Sequence, residues 1–88
     1  MNARFYFANL GADVARCVKA LETGDDARYA QSLARARHTL TYLRAARRPE
    51  AYEEGLLLVY ALVLARKDAR IDAFSRQMEK LCSSFAIT

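Results

Sequence analysis

What this chain has little of narrows it quickly. Its 88 residues contain one histidine, one proline, three glycines, two cysteines and no tryptophan. A single histidine excludes the dinuclear bundle centres that need two Glu-x-x-His pairs. Three glycines and one proline leave too few turn-formers for a fold of many short strands. The cysteines, Cys17 and Cys82, stand far apart with no Cys-x-x-Cys or Cys/His spacing. They read as reduced core thiols of a cytosolic protein, with a disulfide between the first and last helices as the alternative. Met1-Asn2-Ala3-Arg4-Phe5-Tyr6-Phe7 lacks the apolar run and cleavage site of a signal peptide, so the expected location is cytoplasmic.

Long hydrophobic runs are also scarce. Gly55 to Ala65 is the one long stretch without a charge. At about 1.5 Å per helical residue it covers roughly half a bilayer core, so it is too short to insert in a membrane. The remaining composition is that of a folded domain, 53% hydrophobic and 27% charged. The length corresponds to a single domain with a thin margin of stability.

The apolar spacing predicts an all-α protein, a small antiparallel up-down four-helix bundle occupying residues 1–88, with helices at about 3–22, 26–46, 49–66 and 69–85. In helix 1, Phe7, Leu10, Val14, Cys17 and Leu21 repeat at spacings of three and four, broadened by Tyr6 and Val18, while Arg4, Asp13, Arg16 and Lys19 fall outside. Gly24 is the expected left-handed cap of helix 1, and Asp25 or Asp26 the cap of helix 2. Tyr29, Leu33, Ala36, Leu40 and Leu43 form the seam of helix 2. Arg47-Arg48-Pro49 ends it, with Pro49 placed to open helix 3 and Glu50, Glu53 and Glu54 favourable near that positive end. Asp68 is the expected cap of helix 4, whose seam is Ile71, Phe74, Met78, Leu81 and Phe85. The segment Ala65 to Arg70 has no glycine or proline, so a continuous rod from Glu50 to Phe85 is the competing arrangement.

Helix 3 carries more apolar residues than one face can hold. On a helical wheel Tyr52, Leu56, Val59 and Val63 share a face, widened by Leu57, Tyr60 and Leu64, and Leu58 and Leu62 form a second stripe. Such a helix is either surrounded or turned toward a partner. The expectation is a non-enzymatic protein-binding bundle, a chaperone or adaptor that buries an amphipathic client segment against helix 3. Leu58, Leu62 and Tyr60 would give the contact area, and Arg28 and Arg35 would guide the client at its rim. Self-association into a homodimer would cover the same stripe.

No catalytic, cofactor-binding or metal-binding set emerges. His38 falls opposite the seam of helix 2. An outward histidine on a bundle resembles histidine phosphotransfer domains, but Thr39, Leu40, Thr41 and Tyr42 supply neither the lysine nor the glycine those domains place beside it. HEPN ribonucleases need an arginine before the histidine with about four to six residues between; Arg35 and Arg37 are too close and Arg28 too far. The acids fall at caps and outer faces, and there is no phosphate-binding glycine loop. Charge is lopsided, with 14 Lys plus Arg against 10 acids and no acid between Asp26 and Glu50. The alternative function is therefore a basic RNA- or ribosome-associated protein using Arg37, Arg44 and Arg47.

The order of these signals resembles the flagellin export chaperone family. It rests on Gly11-Ala12 early in the first helix, the Gly24-Asp25 turn, the Leu33, Ala36, Leu40 and Leu43 spacing, Val59-Tyr60 within a later helix, and a last helix after a short polar break. The resemblance spans roughly Leu10 to Phe85 and implies a cytosolic bundle that holds an exported subunit's terminal segment. The chain departs from that family in being shorter. It also lacks the family's N-terminal tyrosine-containing segment and part of the connection before helix 3.

Overall fold

The computed structural model describes the backbone of residues 2–87 and, within that range, all side chains except those of 78 and 81–87. Four helices fill it: α1 (Ala3–Glu22), α2 (Asp26–Ala45), α3 (Pro49–Lys67) and α4 (Ile71–Ile87). No strand occurs among the described residues, so the all-α bundle expected from the spacing is what forms.

Local chemistry sets the helix ends. Asn2 caps α1 by accepting the Phe5 N–H at 3.0 Å, and Asp25 caps α2 by accepting the Arg28 N–H at 3.0 Å. Gly24 takes the left-handed conformation expected of it, at φ +71°, and the Asp25 N–H returns to the Ala20 carbonyl at 2.8 Å. Pro49 opens α3, and Arg48 donates to the Glu50 carboxylate across it, which holds that carboxyl below its ordinary range.

The break between α3 and α4 is real, and it is made without glycine. Ala69 sits at φ +58°, the Ala69 N–H reaches the Arg66 carbonyl at 3.4 Å, and the Arg70 N–H reaches Ala65 at 2.7 Å. That is the same paired C-terminal motif that Gly24 makes after α1, here strained by a Cβ. Asp68 therefore belongs to the end of α3 rather than capping α4, which starts at Ile71.

The α1–α2 pair is antiparallel, with Tyr6 beside Tyr42, Asp13 beside Thr39 and Cys17 beside Tyr29. α3 lies along it, again antiparallel to α2. Arg66 stacks 4.4 Å over the Tyr29 ring and reaches Asp26 at 3.7 Å, while Gly55 meets Leu40 and Leu43 at the other end. α4 packs on α1 and α3, anchored by buried Phe74 and half-buried Ile71. The expected α4 seam positions Met78, Leu81 and Phe85, and Cys82 with its disulfide alternative, lie outside the described side chains; Cys17 is a free buried thiol.

The α1 and α2 seams were legible. Phe7, Leu10, Val14, Cys17 and Val18 are buried from α1, and Tyr29, Ala36, Leu40 and Leu43 from α2. Asp13 is a correction: it is buried rather than outside the seam. It is tolerated because Arg16 donates to Oδ1 at 2.9 Å and Thr39 lies 3.5 Å from Oδ2. Among the described residues no buried side-chain nitrogen or oxygen lacks a partner.

A candidate docking face on α3

α3 is rotated away from the wheel expectation, and of the face made by Tyr52, Leu56, Val59 and Val63 only Val59 is buried. Its inner stripe is Ala51, Gly55, Leu58, Val59, Leu62 and Ala65. Leu58 is 4% exposed and Leu62 0%, so these two are core and cannot meet a client in the folded protein. The large side chains on the other side are the ones in water: Leu57 at 61%, Tyr60 at 62%, and Leu56 and Leu64 near two-fifths. Of the three hydrophobic contact residues expected from the sequence, only Tyr60 lies on the open face.

The reason is the size of the inner residues. A Cβ on Gly55 would come within 2.9 Å of Leu10 Cδ2, 3.0 Å of Leu40 Cδ2 and 3.2 Å of Leu43 Cδ1. With Ala51 and Ala65 on the same stripe, α3 sinks close into the groove between α1 and α2. Small residues score low on any hydrophobic wheel. The wheel therefore pointed the heavy Leu/Tyr face inward, and the signal that would have found the true orientation is the Ala51-Gly55-Leu58-Leu62-Ala65 spacing of four, three, four and three.

The outer stripe has charged ends. Glu53 and Lys67 both lie exposed, seven residues before and seven after Tyr60, and neither makes an ion pair among the described residues. Arg66, by contrast, is committed to Tyr29 and Asp26.

The arginines fall elsewhere than the rim of this face. Arg28 and Arg35 lie on the flank of α2 next to α1, where they line a groove with Arg16 and Lys19. Arg37 and Arg44, exposed, project roughly 160–180° around α2 from Arg35, on the flank toward α3. Arg47 occupies the turn after α2 at φ +59°, so the three alternative nucleic-acid residues do not share a groove with Arg28 and Arg35.

The reactive side chains are occupied or closed off. His38 Nε2 lies 3.1 Å from the Tyr42 hydroxyl on the surface. Burial, followed by the charge of Asp13, pushes the Cys17 thiol up to about 11. Burial also raises the Tyr29 phenol, against the opposing pull of Arg66. Among the described residues no group of three or more His, Cys, Asp and Glu is placed to hold a metal, and no helix is long and apolar enough to cross a membrane. Set against protein-family models, characterised proteins and solved structures, the chain finds no match in any of the three comparisons.

Proposed function

We propose that this protein is a non-enzymatic docking module whose outer α3 face receives an amphipathic helix of another polypeptide. The observation that carries the reading is the exposed stripe of Leu56, Leu57, Tyr60 and Leu64 on a helix whose other side is already buried. Half-exposed side chains of this size recover roughly 1 kcal/mol each when covered. The four together recover about 4 kcal/mol and a matching partner face a similar amount, which after the cost of association corresponds to a weak, transient complex rather than a permanent one.

Glu53 and Lys67 at the two ends favour a partner helix that is acidic where it meets Lys67 and basic where it meets Glu53. A second copy of α3 turned about Tyr60 has that pattern, so a homodimer is one outcome the test must read. The likeness to flagellin export chaperones makes the terminal segment of an exported subunit the client class to try first, in the cytoplasm. The non-catalytic part of the reading is supported by a histidine engaged with Tyr42 and a buried thiol held protonated.

The test is site-specific photo-crosslinking in the source cells from position 57, with position 30 on exposed α2 surface as the control, and mass spectrometry of the product. Crosslinks to one polypeptide segment with apolar residues at helical spacing, lost with Leu57→Asp and Tyr60→Asp while the melt is retained, support the docking face. Crosslinks only to a second copy identify a homodimer and remove the client. Equal yields from 57 and 30 would sink the proposal.

A further inference from the structure

The strongest feature not used by the α3 reading is the pair of grooves along which α1 and α2 lie side by side. Arg16 and Lys19 from α1 and Arg28 and Arg35 from α2 converge there on a groove of about 420 Å³, together with Gln31 and Ser32. No acid lines it among the described residues. Arg16 also reaches Asp13 at 2.9 Å, and Arg28 Nε stands 4.0 Å from Asp25. Lys19 and Arg35 have no carboxylate partner among the described residues.

This groove runs on into a second one of about 470 Å³, which shares Arg16 and Arg35 and adds Asn9, Asp13, His38 and Thr39. The register explains the continuity. Phe5, Asn9, Ala12, Arg16 and Lys19 follow one another at spacings of three and four on α1, and Arg28, Gln31, Arg35, His38 and Tyr42 do so on antiparallel α2. One end of the face is thus cationic. The other is aromatic: Tyr6 stacks on Tyr42 at 5.2 Å, and Phe5 meets Tyr6 edge-on at 5.6 Å. Phe5 and Tyr42 are both nearly half exposed.

We propose that this α1–α2 trench binds single-stranded nucleic acid, Arg16, Lys19, Arg28 and Arg35 holding phosphates while Phe5 and Tyr42 stack a base at the far end. Three features select that ligand. The cations come from two helices and face one groove, so they track a backbone rather than solvate separate patches. An exposed aromatic cluster in line with them offers the stacking platform that nucleic-acid-binding grooves add to charge. The channel between two packed helices is narrower than the about 8–10 Å that separates their axes, so a single strand can lie along it and a duplex cannot enter. From Phe5 to Lys19 the face is about 21 Å long, the length of roughly six stacked nucleotides. Asp13 lines the second groove with a side chain only 10% exposed, and Arg16, which holds it, brings N–H donors rather than net charge to that end.

The experiment is fluorescence anisotropy with a labelled uridine dodecamer and the matching deoxy oligomer, from about 25 to 200 mM salt. Four phosphate contacts predict a slope of log K on log salt near −3, from about −0.7 per contact on a single strand. Arg28→Gln with Arg35→Gln should flatten it by about 1.4 and weaken binding at least tenfold. Arg37→Gln with Arg44→Gln removes the same charge from the other flank and should change affinity less than threefold. Phe5→Ala with Tyr42→Ala should weaken the oligomers about tenfold or more while leaving binding of poly-glutamate unchanged. Where the first pair perturbs folding, Lys19→Gln with Arg35→Gln, the two cations without a carboxylate partner among the described residues, repeats the test with one residue from each helix. Equal losses from the two α2 flanks, or a poly-glutamate or duplex bound as tightly as the single strand, would overturn the proposal.

Discussion

Leu62→Ala and Leu57→Ala remove the same atoms from one helix and should have opposite consequences. Leu62 is fully enclosed, at 0% exposure, whereas Leu57 is 61% exposed. An enclosed Leu→Ala change costs about 2–5 kcal/mol, the upper part of the range applying where the surroundings cannot collapse into the cavity. About 3–4 kcal/mol is expected at Leu62, because its side chain is fully enclosed in a close-packed core. Unfolding entropy for a chain this short makes 1 kcal/mol worth about 5 °C, so Leu62→Ala should melt about 15–20 °C lower. A domain of this size holds only about 4–13 kcal/mol in total. Leu62→Asp, with a carboxylate forced into the same space, should then leave no cooperative transition. Leu57→Ala should shift the melt by no more than about 3 °C, because alanine's better helix propensity offsets the small apolar area that the leucine covers. The assay is thermal and urea unfolding followed at the helical circular-dichroism band. A larger loss at Leu57 than at Leu62 would mean that α3 is rotated the other way, and the docking face would go with it.

Two further outcomes follow from the core. Gly55→Ala should stay within about 1 kcal/mol of the parent, since the Cβ meets only the ends of Leu10, Leu40 and Leu43 and gains helix propensity; Gly55→Val, stiff at χ1 and two carbons larger, should cost about 2–3 kcal/mol by urea titration, and a parent-like midpoint would disprove the close approach. Cys17, raised from 9.0 to about 11, should be about one part in a thousand thiolate at pH 8 and label with a thiol reagent only as fast as the chain opens. The same shift gives a pH dependence with a definite sign. The folded state keeps a proton that the unfolded chain releases above pH 9.0, so stability is intact below that value and falls as pH climbs toward about 11, reinforced by the raised Tyr29 phenol. A melting temperature flat from pH 8 to 11 would contradict the burial of both groups.

Elements whose ends are made by special residues could be read directly from the sequence. Gly24, Asp25 and Pro49 each do locally what their chemistry favours, and the boundaries of α1, α2 and α3 fall within a residue of expectation. The α3–α4 turn announces itself less plainly because Ala69 takes a left-handed conformation that alanine disfavours, held by hydrogen bonds back to Arg66 and Ala65. Side-chain packing was legible where the inner residues are large, as at Leu10, Val14 and Leu43. It was illegible on α3, where Ala51, Gly55 and Ala65 do the packing by being small. The trench was half legible: the wheel puts Arg28 and Arg35 on one flank of α2, but only the placement of α1 brings Arg16 and Lys19 to meet them.

The orientation of α3 also bears on why its outer leucines exist at all. A helix seated through glycine and alanine lies close to its neighbours, and Leu58, Val59 and Leu62 fill the remaining depth. Leu57 and Tyr60, more than three-fifths exposed, therefore add little to folding, and in water they promote association. Stability alone would accept glutamate or lysine at those positions, as it does at Glu53 and Lys67 on the same stripe. On the far side the excess is of charge rather than apolar area, and the α1–α2 core lies between the two. Because the faces point away from each other across layers that each side's substitutions leave intact, docking on α3 and binding in the trench should be energetically independent. Occupancy of one face should leave affinity at the other unchanged within experimental error, whereas competition between them would place both ligands on a single surface.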